Sequence, residues 1–209
     1  MELPAVVRRV ALAACALLLA CGAPPSDGDA PGPPGAAGEA ALADAVRSRA
    51  AFAQIAAVLR HPRCLNCHTV TDFPRTGDQR RRHAMNVRRG PEDQGLPGMT
   101  CSACHRPENQ DLAGLPGAPH WQLAPLSMAW EGLDDHDLAE SLGDRARNGD
   151  RSLQELLDHM ADDPLVGWAW EPGLGRAPPP VSRADVVAAF RTWIDTGAIT
   201  PPAGTTSTF

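Results

Sequence analysis

The sequence predicts a mainly α fold with extensive loops and little or no β structure. Three observations predict it. Apolar residues recur at helical spacing over 42–60, 133–144, 153–161 and 182–196. The connections between these stretches are long, in a chain with 21 Pro and 19 Gly among 209 residues. One short pattern, C-x-x-C-H, stands twice in those connections, as Cys64-Leu65-Asn66-Cys67-His68 and Cys101-Ser102-Ala103-Cys104-His105.

The repeated pattern is the attachment signature of a covalently bound c-type haem. Two thiols three residues apart lie on one helical turn, so both can add to the vinyl groups along one porphyrin edge. The next histidine then falls under the ring and gives its imidazole to the iron as proximal ligand. Cys64, Cys67, Cys101 and Cys104 are thus the covalent anchors of two haem c groups, with His68 and His105 as proximal ligands. Alternatives stay open. The same four cysteines form a C-x2-C…C-x2-C pattern that could hold one zinc, although zinc needs neither histidine and the gap between pairs is long. Two short disulfides or a thioredoxin-like pair are also compatible, but no βαβ pattern surrounds either motif.

Taken in order, the chain opens with an export signal over 1–20. Arg8 and Arg9 precede an apolar run from Val10 to Ala20 that is short for a membrane span. The run ends Leu18-Leu19-Ala20-Cys21, which resembles a bacterial lipobox with Cys21 as the lipidated residue; ordinary secretion with cleavage near Ala20 or Ala23 is the other reading. Gly22 offers no aspartate to retain a lipoprotein in the inner membrane, so the expected address is the periplasm, on an outer-membrane anchor. Residues 21–40, rich in Pro, Gly and Ala, are expected to form a flexible tether.

Residues 41–200 then form one domain, followed by a frayed tail over 201–209. In the first helix Leu42, Val46, Phe52, Ile55, Ala56 and Leu59 share a face, and Pro62 ends it. Thr69 to Thr100 carries no sustained periodicity and crowds Arg75, Arg80, Arg81, Arg82, Arg88 and Arg89 together. These arginines read either as a solvated basic face or as partners for haem propionates. Leu138, Leu142, Leu153, Leu156, Leu157 and Met160 anchor two short helices. The last helix starts on Ser182, with Asp185 as its capping partner, and stops at Gly197. The stretch from Glu131 to Glu171 is acidic, whereas the haem-bearing half is arginine-rich, and opposed patches of this kind steer docking of a redox partner. A net charge of −6 on an exported chain argues against nucleic acid.

The sixth ligand of each iron decides its chemistry. His83 and His120 are the first choices, since each lies in a loop near a motif; Met99 and Met128 are alternatives that would give a His/Met haem. His136 and His159, on the acidic helices, read as surface residues, and His61 is too near Cys64 to cross its own haem.

Three stretches carry a family resemblance: 61–68 with its His61-Pro62-Arg63 lead, 117–125 with His120-Trp121, and Met128-Ala129-Trp130-Glu131-Gly132-Leu133. Over about Phe52 to Ala198 the chain resembles small bacterial dihaem cytochromes often labelled as an isoquinoline 1-oxidoreductase subunit. The resemblance implies a dihaem cytochrome c fold organised around two covalent haems. It also implies electron acceptance from a periplasmic molybdenum hydroxylase. A more distant likeness is to the dihaem subunit of periplasmic nitrate reductase, with two such motifs and bis-His haems.

The expected function is therefore a periplasmic, non-catalytic electron carrier between an oxidoreductase and a respiratory acceptor. The competing classes are a dihaem peroxidase or oxidase with one open haem, a haem-based sensor, and a structural zinc module. No acid/base pair beside either motif supports the enzyme.

Overall fold

The computed structural model describes residues 35–207, of which 36–207 belong to one compact unit. The expected signal segment, the lipidation site Cys21 and most of the tether lie outside the described residues. The unit is mainly helical, with 46% helix and 6% strand. No described helix is long and apolar enough to cross a membrane.

Six α-helices form among the described residues: α1 (Ala36–Leu59), α2 (Pro62–Leu65), α3 (Asp135–Gly143), α4 (Leu153–Asp162), α5 (Pro164–Gly167) and α6 (Arg183–Asp195). The first begins at Ala36 rather than Leu42, taking in the end of the expected tether, because its alanines favour helix without needing burial. Its expected apolar face is correct only in part. Phe52, Ile55, Ala56 and Leu59 are almost completely buried, but Leu42 and Val46 are well exposed. Ser48 takes their place inward, its Oγ accepting the Ile199 N–H at 3.0 Å.

The core lies where α1, α3, α4 and α6 meet, with α1 packed along α6 and α6 along α4. Phe52 and Trp193 touch there with ring centroids 5.1 Å apart. The helix ends are fixed as their sequences suggest. Ser152 and Glu155 form a reciprocal capping box on α4, and the Ser182 hydroxyl accepts the Asp185 N–H at 3.1 Å on α6. Gly197 stops α6 in the left-handed region, with φ +91°.

The tail is a correction: 201–207 does not fray. Asp134 accepts from Gly204 N at 2.6 Å, Asp135 from Ser207 N at 3.0 Å, and Pro201 O from His136 Nδ1 at 2.9 Å. Asp135 is buried and also pairs with Arg60 at 2.5 Å. The tail thus supplies polar partners to a carboxylate that burial would otherwise leave costly.

The long connection from Asn66 to Asp134 is built differently. Its only regular pieces are two-residue hairpin pairs, β1 (Arg75–Thr76) with β2 (Arg81–Arg82) and β3 (Gly95–Leu96) with β4 (Met99–Thr100), and short 3₁₀ turns. Ala118, Leu123, Met128 and Trp130 are its buried apolar residues. Polar contacts hold the rest. Met128 and Trp130 join the cluster of the helical half, which leaves Ala118 and Leu123 as the apolar residues buried among the loops themselves.

Trp193→Ala is expected to lower the unfolding free energy by roughly 3–5 kcal/mol, read from the urea midpoint. Leu112→Ala, at a fully exposed position, is expected to stay within about 0.5 kcal/mol.

Candidate functional site

Both motifs adopt the same turn. In the first, Pro62 opens α2 at the position where its missing N–H costs nothing. Cys67 N then bonds Cys64 O at 3.1 Å and His68 N bonds Cys64 O at 3.0 Å. In the second, a 3₁₀ turn at Cys101–Ala103 gives Cys104 N to Cys101 O at 3.2 Å and His105 N to Cys101 O at 2.9 Å. One helical turn thus carries each pair of thiols and its histidine, as the spacing predicts.

Each histidine is then fixed from behind. His68 Nδ1 donates to Met128 O at 2.8 Å, and His105 Nδ1 donates to Pro116 O at 2.7 Å. A carbonyl only accepts, so the proton sits on Nδ1 and the lone pair is left on Nε2. Each ring is also stacked on a tryptophan: His68 on Trp130 at 3.5 Å, and His105 on Trp121 at 4.6 Å. Gly117 makes the second arrangement feasible. A Cβ there would sit 2.3 Å from Arg106 O, so only glycine lets the Pro116 strand close on the motif loop.

The arginine-rich stretch forms neither an open basic face nor a simple patch. Arg89 is buried and donates to Thr69 O at 3.1 Å, Thr71 O at 3.3 Å and Ala124 O, while pairing with Asp93 at 2.6 Å. It clamps the strand leaving His68 to the loop that leads to Met128. Glu131 is the second clamp. It accepts from Thr69 Oγ1 at 3.0 Å and Val70 N at 3.3 Å, and pairs with Arg80 at 2.8 Å and Arg75 at 3.6 Å. Burial opposes its charge, but those hydrogen bonds and Arg80 hold its carboxyl below the usual range. Arg81 and Arg82 remain exposed, with Arg82 over the Phe73 ring at 4.4 Å.

Two clefts open at the motifs. The first is lined by Cys64, Cys67 and His68 together with Met160, Trp168 and Phe190 from the helical half. The second, more polar one is lined by Ser102, His105, Arg106 and Trp121. They adjoin one another, since His120, Trp121 and Gln122 line both. Burial pushes the Cys64 thiol up to about 12 and the Cys67 thiol up to about 11, and nearby Cys101 adds to the latter. His68 is pushed down to about 4, by burial first, against the Met128 carbonyl. Burial also lowers His105. Sulfur and imidazole are therefore held neutral here, which suits thioethers and a lone-pair donor.

The remaining candidates divide clearly. His83 follows β2 and faces His105, with ring centroids 6.0 Å apart and planes at 73°. Its Nδ1 donates to Ala84 O at 2.9 Å, so its Nε2 is also the free nitrogen. An iron bonded to two imidazoles would hold their centroids roughly 6 Å apart. Backbone strain marks the same place, since Met85 lies at φ +59°. His120 is exposed, with φ +57°, on the lip between the clefts, and no hydrogen bond orients its ring among the described residues. Met99 is exposed on its hairpin. Met128, whose carbonyl takes His68 Nδ1, is buried and belongs to the core cluster, and it also lines the first cleft. His61 caps α2, its Nδ1 accepting Arg63 N at 3.3 Å. The placement of His159 as a surface residue needs correction, because it is half-buried and lines the first cleft. A sequence reading misses it because only the fold brings α4 against the motif. Trp121 and Trp130 are also missed as ring supports, though both stand in the loops rich in proline that pass the motifs.

Comparison with protein-family models, curated proteins and solved structures gives no match.

The residues fit a haem at each motif. Porphyrin supplies four of the six iron ligands, so one or two imidazoles per site suffice. A bare ion needs more, and among the described residues no three His, Cys, Asp or Glu side chains gather to hold one. The four cysteines are free thiols rather than disulfides. Arg63, which lines the first cleft, keeps a buried Nε without a partner, a donor suited to a carboxylate such as a propionate.

Glu131→Gln is expected to destabilise the loop that carries Thr69 and Val70. Because folding lowers the Glu131 pKa, its contribution is complete at neutral pH and is lost as pH falls through the depressed value. Melting temperature should then decline less steeply for the variant than for the parent between about pH 5 and pH 3.

Proposed function

We propose that this protein is an electron carrier with two covalently attached haem c groups, one at Cys64, Cys67 and His68 and the other at Cys101, Cys104 and His105. In this reading it works in the periplasm between an oxidoreductase and a respiratory acceptor, and catalyses no reaction of its own. The observation that carries it is the opposition of His83 to His105 at 6.0 Å, both with Nδ1 tied to a carbonyl. His105 and His83 would hold the iron of a haem between them there, and no position on it would be left for a substrate. When bound, haem supplies a one-electron iron(III)/iron(II) couple, tuned by its ligands and its burial.

The chain's own residues account for the rest. Met128 O and Pro116 O hold the proximal rings in one tautomer, so that little rearranges when charge changes. Trp130 and Trp121 cover the faces of those rings and keep water from them. The second motif lies at the surface, with Ser102 and Cys104 exposed, whereas the first is closed in by Phe190, Met160 and Trp168. Electrons would therefore enter or leave through the second site, with the first as the inner station. The adjoining clefts, with Trp121 common to both, support exchange between them. The partner suggested by the family resemblance is a molybdenum hydroxylase.

Export of the full chain from a strain with c-haem maturation should yield two covalent haems per chain by pyridine haemochrome assay and mass spectrometry. The paired change Cys64→Ala with Cys67→Ala should leave one, and so should Cys101→Ala with Cys104→Ala. The unaltered ferrous protein should not bind carbon monoxide, and His83→Ala should create one site that does. Absence of covalent haem overturns the proposal, and carbon monoxide binding by the unaltered protein turns it toward an enzyme or sensor.

A further inference from the structure

We propose that His159 is the second axial ligand at the first motif, opposite His68, and that Asp163 positions it. This rests on the haem reading above. The argument is geometric. His159 stands in the last turn of α4 and lines the same cleft as Cys64, Cys67 and His68. Its Nδ1 lies 3.3 Å from Asp163 Oδ2. A carboxylate accepts, so the proton is on Nδ1 and the lone pair on Nε2.

Asp163 is itself immobile. Its other oxygen caps α5, accepting Leu165 N at 2.8 Å and Val166 N at 3.1 Å. Arg183 locks the turn from α6, donating to Met160 O at 3.0 Å and Asp163 O at 2.9 Å. A ring held in this way repeats what is seen at His68, His83 and His105, where Nδ1 is also engaged.

The competitors lack this. His120 lines the cleft with no hydrogen bond to orient it among the described residues. His61 Nδ1 accepts a hydrogen bond from the Arg63 N–H, so its neutral form carries hydrogen on Nε2 and has no lone pair to offer there. Met160 belongs to the core between α4 and α6. His136 directs Nδ1 to Pro201 O and lines none of the clefts at the motifs.

The partner of Nδ1 also sets the two sites apart. A carboxylate beside Nδ1 makes an imidazole a stronger donor than a carbonyl does, which favours the oxidised iron. Asp163 would thus hold the first centre at a lower potential than its apolar burial alone would give.

The test uses the exported full chain and compares the parent with His159→Ala, His159→Met and His120→Ala by visible, near-infrared and electron paramagnetic resonance spectroscopy. In the parent both haems should be low-spin. His159→Ala should retain two covalent haems, convert half of the signal to high-spin, bind one carbon monoxide, and return to low-spin on addition of imidazole. His159→Met should show a thioether-to-iron band in the near infrared. Asp163→Asn keeps the cap on α5 and should remain low-spin while one midpoint potential shifts upward. If His159→Ala stays low-spin with two haems, or if His120→Ala gives the high-spin species instead, the assignment is overturned while the haem reading stands. If the parent carries no covalent haem, the haem reading itself fails.

Discussion

A histidine whose Nδ1 is given to a fixed acceptor has one nitrogen left, and its direction is set. That constraint recurs at His68, His105 and His83, and at His159 through Asp163. Much of the surrounding structure serves it. Met128 and Pro116 must present carbonyls at the right depth, which requires the loops over 107–130 to run close behind both motifs. Gly117 permits that approach at one of them. Arg89 and Glu131 secure the strand leaving His68, so the ring cannot drift from Met128.

The two halves of the unit meet different physical demands. The helical half buries Phe52, Leu138, Leu157, Phe190 and Trp193 and is stabilised in the ordinary way by apolar area removed from water. The loop half has few such residues and relies on guanidinium-to-carbonyl bonds, which are directional and leave open space between strands. Two large apolar plates would fill that space, and on the proposed reading they complete the second core. On that reading the adjoining clefts would bring the two haems near one another, as transfer of single electrons between them requires.

Burial differs between the two sites. One cleft is walled by the helical core, and the other opens at Ser102 and Cys104. On the proposed reading a partner would reach the second site without disturbing the first. Arg81 and Arg82 stay exposed in the loop half, where on the proposed reading their charge would help to orient a docking partner.

Much of this was legible in the sequence. Cysteine spacing alone fixed each motif as one helical turn, because three residues of separation and an adjacent histidine leave little other geometry. Apolar periodicity located α3, α4 and α6, and Ser182 marked the start of the last. Local pattern went wrong where tertiary contacts overrule it. Leu42 and Val46 share the inner face of α1 yet lie beyond the core, and the tail is held because Asp134 and Asp135 need its N–H groups. The axial candidates show the same division. His83 stands near its motif in the chain and faces it in space, but His159 is 91 positions beyond His68 and reaches the cleft only because α4 packs on α6. Chemistry within one turn of helix is encoded locally. Which nitrogen from a distant element points at it depends on packing and on the hydrogen bond behind each ring, and that the tertiary structure alone decides.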